Sequence, residues 1–323
     1  MGKEASCRDR VEKRLNSEIM GEITFSVVIP TYKRRDRLRR CLASLADQTL
    51  PKSTFEVVVV DDAAIAGLKA SVEGSCPDVR LRVVAQEHLG PAAARNLGAT
   101  LAKGRYLAFT DDDCRPAPNW LASLLTHLSG AKDTVAVGGC VINELKDDVF
   151  AASSQAIVDF LYDYFNSDRE HATLLTSNNF SVPAAHFATS GGFDTAFTGA
   201  GGEDREFCLR WCHRGGRLVY APDALVYHAH DMTLMSFIRQ HLAYGYGGGV
   251  LRRCATTKGF GPIPLEPFSF YTSLLRYPRV MSHLPHPWLS TALFAVSQVA
   301  NGIGYYQARI EAHMEDVKRE MAG

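Results

Sequence analysis

Asp111-Asp112-Asp113 puts three negative charges into one tripeptide. Carboxylates this close repel one another unless positive charge sits among them. If the strand leading into them continues, side chains alternate with period two and Asp111 and Asp113 project to the same side. Such a pair suits a hard divalent cation, Mg2+ or Mn2+, which prefers oxygen ligands and keeps positions open for phosphates. An acidic turn before Pro116 is the plainer alternative. A second carboxylate pair, Glu203-Asp204, follows the glycine-rich approach Gly199-Ala200-Gly201-Gly202. Acidic residues ordinarily complement a helix N-terminus. Here the glycines would also admit a substrate close to the backbone, while the helix end holds a carboxylate where a general base could take a proton from a hydroxyl. In His228-Ala229-His230, strand alternation would turn both imidazoles to one side, so that His228 first, and His230 second, could complete a metal shell.

The segments before these clusters read as strands and helices in alternation. Phe25 to Ile29 is a continuously apolar strand ended by Pro30, and Phe55 to Val60 is a run suited to burial on both faces. Leu38, Cys41, Leu42 and Leu45 recur at helical spacing. A short helix over Ala64 to Val72, a third strand over Val79 to Val84, a helix opened by Gly90-Pro91 and running through Leu101, and a strand over Tyr106 to Thr110 complete the pattern. This order implies parallel strands joined by right-handed crossovers. Ligands on such sheets sit beyond the carboxyl ends of the strands. The polar stretches Thr31 to Arg34, Asp61-Asp62 and Asp111 to Asp113 all follow strands directly, so they should share one rim. Further on, helices are expected from Asn119 to about Leu128, over Val149 to Phe165 and from Glu203 to Arg214, the last stopped by Gly215-Gly216. Strands are expected near Thr134 to Val141, Leu218 to Tyr220 and Ala224 to His228.

Lys+Arg and Asp+Glu number 35 each, so no global field draws the chain to nucleic acid or anionic lipid. The 8 cysteines form no C-x-x-C pair, and Cys208/Cys212 lack companion ligands; they read as reduced thiols of a cytoplasmic protein. Residues 1–22 carry no apolar stretch of a signal peptide and read as an arm. Beyond about Thr233 the character changes. Gly245 to Gly249 reads as an interruption in a helical stretch, and Pro262, Pro264 and Pro267 read as an irregular crossing. From Val280 to Ala308 there is no charged side chain apart from histidine. Ser290, Ser297, Gln298 and Asn301 nevertheless form a polar stripe, which disfavours a lone membrane span. An interfacial helix resting on the inner face of the cell membrane fits that pattern, and a helix packed on the domain or on a subunit partner fits nearly as well.

The stretches FSVVIPTYKR (Phe25 to Arg34), FEVVVVDD (Phe55 to Asp62), GPAAARNLG (Gly90 to Gly98), YLAFTDDD (Tyr106 to Asp113) and GGEDREFCLR (Gly201 to Arg210) together resemble the family 2 glycosyltransferases. The resemblance implies a GT-A-type α/β fold, a Rossmann-like mixed and mostly parallel sheet flanked by helices, with a helical C-terminal segment added. With the residue reading, the chain divides into an arm (1–22), a nucleotide-sugar half (23–118), an acceptor and catalytic half (119–232) and a helical region (233–323), the last not covered by the shared stretches. It implies that Pro30, Thr31, Tyr32 and Asp61 cradle the nucleotide, with Asp62, Arg34 and Asp112 assisting. Asp111 and Asp113 would be the D-x-D pair, holding Mn2+ or Mg2+ with His228, and Arg95 would lie near the diphosphate. Asp204 would be the catalytic base of an inverting displacement, with Glu203 orienting the acceptor and Arg210 supporting the loop. The implied partners are a nucleotide-diphosphate sugar, by default a UDP-sugar, and a glycan, lipid-linked or small-molecule acceptor, with a homo-oligomer left open. Lys33 and Ala63-Ala64 depart from the family pattern, which has asparagine and small polar residues there.

A nucleotidyltransferase would want a glycine-rich loop with a basic residue after the first strand, and a nicotinamide-dependent oxidoreductase would want G-x-G-x-x-G; Pro30-Thr31-Tyr32 is neither. A catalytically inactive sugar-nucleotide-binding scaffold of the same fold would be expected to lack metal or base carboxylates, and both are present.

Overall fold

A computed structural model describes residues 23–197, 201–281 and 284–322. Expectations for the 1–22 arm, Gly199 and Ala200 lie outside the described residues.

The sheet begins with β1 (Phe25–Thr31), β2 (Phe55–Asp61), β3 (Arg80–Ala85) and β4 (Tyr106–Thr110). β2 pairs with β1 and β3, and β1 with β4, all in parallel. In this register Thr31 lies opposite Asp61, so the polar ends of β1 and β2 share one edge. Strands buried on both faces need apolar residues throughout, and helices cover them. On one face Val27 and Ile29 meet Leu38, Cys41, Leu42 and Leu45 of α1 (Arg35–Ala46). On the other Val58 and Val60 meet Ala94 of α3 (Pro91–Leu101), which follows the short α2 (Leu68–Val72). Gly98 brings α3 down onto the sheet, since a Cβ there would stand 2.4 Å from Val28 Cγ1.

The second half changes direction. β5 (Cys114–Pro116), β6 (Val135–Asn143), β7 (Asn179–Pro183) and β8 (Arg217–His228) complete an eight-stranded sheet of order β3-β2-β1-β4-β7-β6-β8-β5. β7 runs antiparallel to β4 and β6, β8 runs parallel to β6, and β5 antiparallel to β8. The result is the mixed, mostly parallel α/β sheet that the sequence implies. β5 and β7 have no counterpart in the sequence reading. β8 is one strand rather than two, with its irregularity opposite Gly139, where a Cβ would meet Ala224 O at 2.0 Å.

Helices α4 (Trp120–Leu128), α5 (Val149–Phe165), α6 (Ala184–Ser190) and α7 (Glu203–His213) flank this half. The C-terminal region forms α8 (Leu234–Thr257), α9 (Phe268–Val280) and α10 (Pro287–Ala322), joined to α5 through a core around Phe160, Phe237, Phe270 and Phe294. Gly245 to Gly249 does not interrupt α8, contrary to the sequence reading. Gly245, Gly247 and Gly249 are its contact face. A Cβ on Gly245 would meet Asn301 O at 2.0 Å and one on Gly249 would meet Ala308 Cβ at 2.6 Å, while Gly304 of α10 offers the reciprocal gap to Leu242 O at 2.0 Å. Close helix approach outweighs the cost of roughly 1 kcal/mol per helical glycine. Among the described residues, no helix is long and apolar enough to cross a membrane.

Candidate active site

The ends of β1, β2 and β4 and the start of α7 open onto one cleft of about 450 Å³. Asp111 and Asp113 reach it by a different route from strand alternation. β4 stops at Thr110, and Asp111 to Asp113 form the turn into β5, closed by the Cys114 amide donating to Asp111 O at 3.1 Å. The two carboxylates line the same cleft but take different partners. Asp111 accepts from Arg95 Nη2 at 2.7 Å. Asp113 is buried among two guanidinium groups and two imidazoles: Arg34 Nη1 at 3.0 Å, Arg37 Nη1 at 3.3 Å, His228 Nε2 at 3.3 Å and His230 Nδ1 at 3.2 Å. Burial pushes its pKa up, but the hydrogen bonds from both histidines and the charges of His228 and Arg34 outweigh that and hold it well below the ordinary carboxylate range. Asp112 points elsewhere, accepting from Thr31 Oγ1 at 2.7 Å; burial and the Asp113 charge raise it to about 6.

His228 and His230 stand on the same side of the chain, as alternation requires, with rings stacked at 5.6 Å. Ligand atoms of Asp113, Cys114 and His228 lie within 4.8 Å of one another. The Cys114 thiol is fully buried, and burial lifts its pKa well above the usual value. A protonated soft donor suits a hard cation poorly, so the carboxylate and imidazole are the useful ligands of that group.

At the nucleotide end, Tyr32 stacks on His88 with centroids 4.3 Å apart. Asp62 lines the cleft and gathers the 86–90 loop, accepting from Gln86 Nε2 at 2.6 Å and from the Leu89 and Gly90 amides at 2.9 and 3.1 Å. Asp61 is different. Its oxygens accept from the Ala63 and Ile65 amides at 3.1 and 2.6 Å, inside its own turn, and it does not line the cleft. A short carboxylate with two local amides in reach closes an Asx turn first. Lys33 and Ala64, the departures from the family pattern, both hold left-handed backbone, at φ 57° and 49°. Asparagine tolerates that region better than either.

Across the cleft, Arg95 ties the two acid clusters together. It is buried, with Nη2 on Asp111 and Nη1 donating to Glu203 Oε1 at 3.2 Å. The other Glu203 oxygen accepts from the Gly201 amide at 3.0 Å. Asp204 keeps Oδ1 buried without a hydrogen-bond partner. Burial raises the pKa of both Glu203 and Asp204; the Asp204 charge adds to the rise at Glu203, and the Arg95 charge opposes it at both. Arg210 lies off the cleft and donates to Ser190 O and Gly192 O while paired with Glu206, supporting the loop before α7.

Residues 26–197 match the family model of glycosyl transferase family 2. The chain belongs to that family. Validoxylamine A glucosyltransferase of Streptomyces hygroscopicus is 32% identical over 255 residues, covering 67% of this chain and 60% of the relative. Pre-mycofactocin glycosyltransferase of Mycobacterium tuberculosis is 32% identical over 231 residues, covering 68% and 46%. The chain thus spans about three-fifths or less of the length of these relatives. A Pyrobaculum calidifontis mannosyltransferase solved with GDP-Man and Mn2+ superposes with a TM-score of 0.56 at 21% identity, covering 91% of this chain and 81% of that one, which shows a common fold.

The family 2 stretches do not account for the whole cleft. Gln240 and Tyr244 of α8 also line it, Gln240 Nε2 donating to Ser154 Oγ at 3.1 Å and to the Tyr244 hydroxyl at 2.9 Å. Gly247 lets α8 lie on the loop before Glu203, where a Cβ would meet Gly201 O at 2.2 Å. The glycine run was the available signal for this wall.

Proposed function

We propose that this protein is an inverting, metal-dependent glycosyltransferase. It moves a sugar from a nucleotide-diphosphate donor, by default a UDP-sugar, to a hydroxyl of a glycan, lipid-linked or small-molecule acceptor. The observation that carries this reading is the Arg95 bridge: one buried guanidinium touches both Asp111 and Glu203, so the two acid clusters face one cleft with space between them.

In this reading residues 23–118 bind the donor and 119–232 supply the acceptor side. The Tyr32–His88 ring pair offers a face to the base, with Pro30, Thr31 and Asp62 shaping the nucleotide end and Arg34 and Arg95 near the phosphates. Asp112 holds Thr31 and Arg34 in place, and Asp61 holds its turn. Asp111, Asp113 and His228 would hold Mn2+ or Mg2+, with His230 beside them. When bound, that cation would neutralise charge on the leaving diphosphate. Asp204 takes the acceptor hydroxyl proton as the new bond to the anomeric carbon forms and the bond to the diphosphate oxygen breaks. Its unpartnered oxygen and raised proton affinity suit that task. Glu203, with both oxygens engaged, is a positioning residue for the loop that carries Asp204.

Incubation with UDP-sugars and Mn2+ tests the reading. Nucleotide release should stop on adding EDTA and return with excess Mn2+. Release indifferent to the chelator contradicts the metal assignment, and no thermal stabilisation by any nucleotide sugar contradicts the donor class.

A further inference from the structure

The face of α10 turned away from α8 carries a regular apolar seam. Leu289, Val296, Ile303, Ile310 and Val317 recur every seven residues. Ala292, Val299, Tyr306 and His313 fall three positions after the first four of these. The spacing is thus 3-4-3-4 over four heptads, apolar at every position but His313. This face is open in the described structure: Val299 is 64% exposed, Tyr306 61% and Ile310 58%. The opposite face is committed, because the glycine contacts with α8 fix which side of α10 looks outward.

We propose that this seam binds the same seam of a second copy of the chain, forming a two-stranded coil and a closed homodimer. Three features favour a helix over a flat bilayer as the occupant. First, a 3.5-residue repeat drifts around a straight α-helix by ~20° per heptad, so four heptads turn it by about 80°. A partner helix follows that drift by supercoiling, and a plane does not. Second, a parallel two-stranded coil, in which position 299 meets position 299 of the other copy, favours β-branched residues at the first heptad position, and Val296, Ile303, Ile310 and Val317 supply them. Third, the flanking charges do not attract anionic lipid. The only basic residues of α10 are Arg309, Lys318 and Arg319, against Glu311, Glu315, Asp316 and Glu320. Arg279, near its start, stands over the Trp288 ring at 4.3 Å. The seam is roughly 42 Å long at 1.5 Å per residue, and its exposed side chains are on the order of the ~800 Å² per partner of a standard specific interface. A two-fold axis makes such a surface self-complementary.

Light scattering on the full chain at micromolar concentration should give twice the 35.5 kDa chain mass. The double variant Val299→Glu/Ile303→Glu should run at 35.5 kDa with the helix content of the wild type by circular dichroism, because both side chains are exposed within one chain. Val299→Cys should cross-link between copies under oxidation in the otherwise unchanged protein. A wild-type monomer that floats with vesicles of phosphatidylcholine and phosphatidylglycerol overturns the proposal in favour of a bilayer. A monomer that stays in solution overturns it too, as does a dimer that survives the double variant and fails to cross-link through position 299.

Discussion

The two acid clusters of the cleft are built from the same side chains and treated in opposite ways. Asp113 is buried against two guanidinium groups and two imidazoles, which hold it anionic. Asp204 is buried with one arginine in the neighbourhood, shared with Asp111 and Glu203, and with an oxygen that nothing satisfies. Environment thus separates the proton affinities of two chemically identical groups. A carboxylate with lowered proton affinity is suited to hold a cation, and one with raised proton affinity is suited to accept a proton. The division of labour lies in the neighbours, not in the acids.

Replacing the acid on each side should break the comparison in a different way. Asp204→Asn should lower transfer by about 10³-fold, within the range expected for losing a general base, and leave donor affinity in the presence of Mn2+ unchanged by calorimetry. A variant that loses both would place Asp204 in the donor site. Asp113→Asn should do the reverse in part, weakening Mn2+-supported donor binding by at least ~10-fold, since even partners one step removed from a metal cost that much. If its donor affinity survives, Asp113 is not a ligand. Arg95→Lys keeps the charge but loses the fork that spans Asp111 and Glu203. It should reduce turnover by about 10-fold, the worth of one charge-assisted hydrogen bond. The smallest effect is the control. Lys33→Asn should raise thermal stability by about 0.5 kcal/mol by easing a left-handed backbone, without moving either acid's behaviour.

Much of this comparison was legible in the sequence. β1, β2 and β4 are buried on both faces, so their apolar runs mark them, and parallel pairing brings their polar ends to one edge. What residue type alone does not show is local contact. Asp61 and Asp62 are neighbours at one strand end, yet Asp61 turns back to the Ala63 and Ile65 amides while Asp62 reaches across to the 86–90 loop. β7 escaped notice because Asn179 and Ser181 make it look like a loop. Their polar groups are buried but used, Asn179 on Cys140 O and Ala224 O and Ser181 on Leu107 O. The glycines of α8 looked like a break because helix propensity is a property of the isolated segment, and what they serve is contact with α10 and with the loop before Glu203. Gln240 and Tyr244 lie on that same helix, beyond the family stretches, so nothing in the motifs pointed to them.

The most direct test of the division between the acids is the pH dependence of turnover at saturating donor and Mn2+, set beside that of donor affinity. A base whose proton affinity is raised stays protonated to higher pH and becomes active only above its own pKa. Turnover should therefore rise with pH through an inflection above the ordinary carboxylate value of about 4, and donor affinity should show no such inflection. An inflection near the ordinary value, or the same inflection in both quantities, would contradict the account.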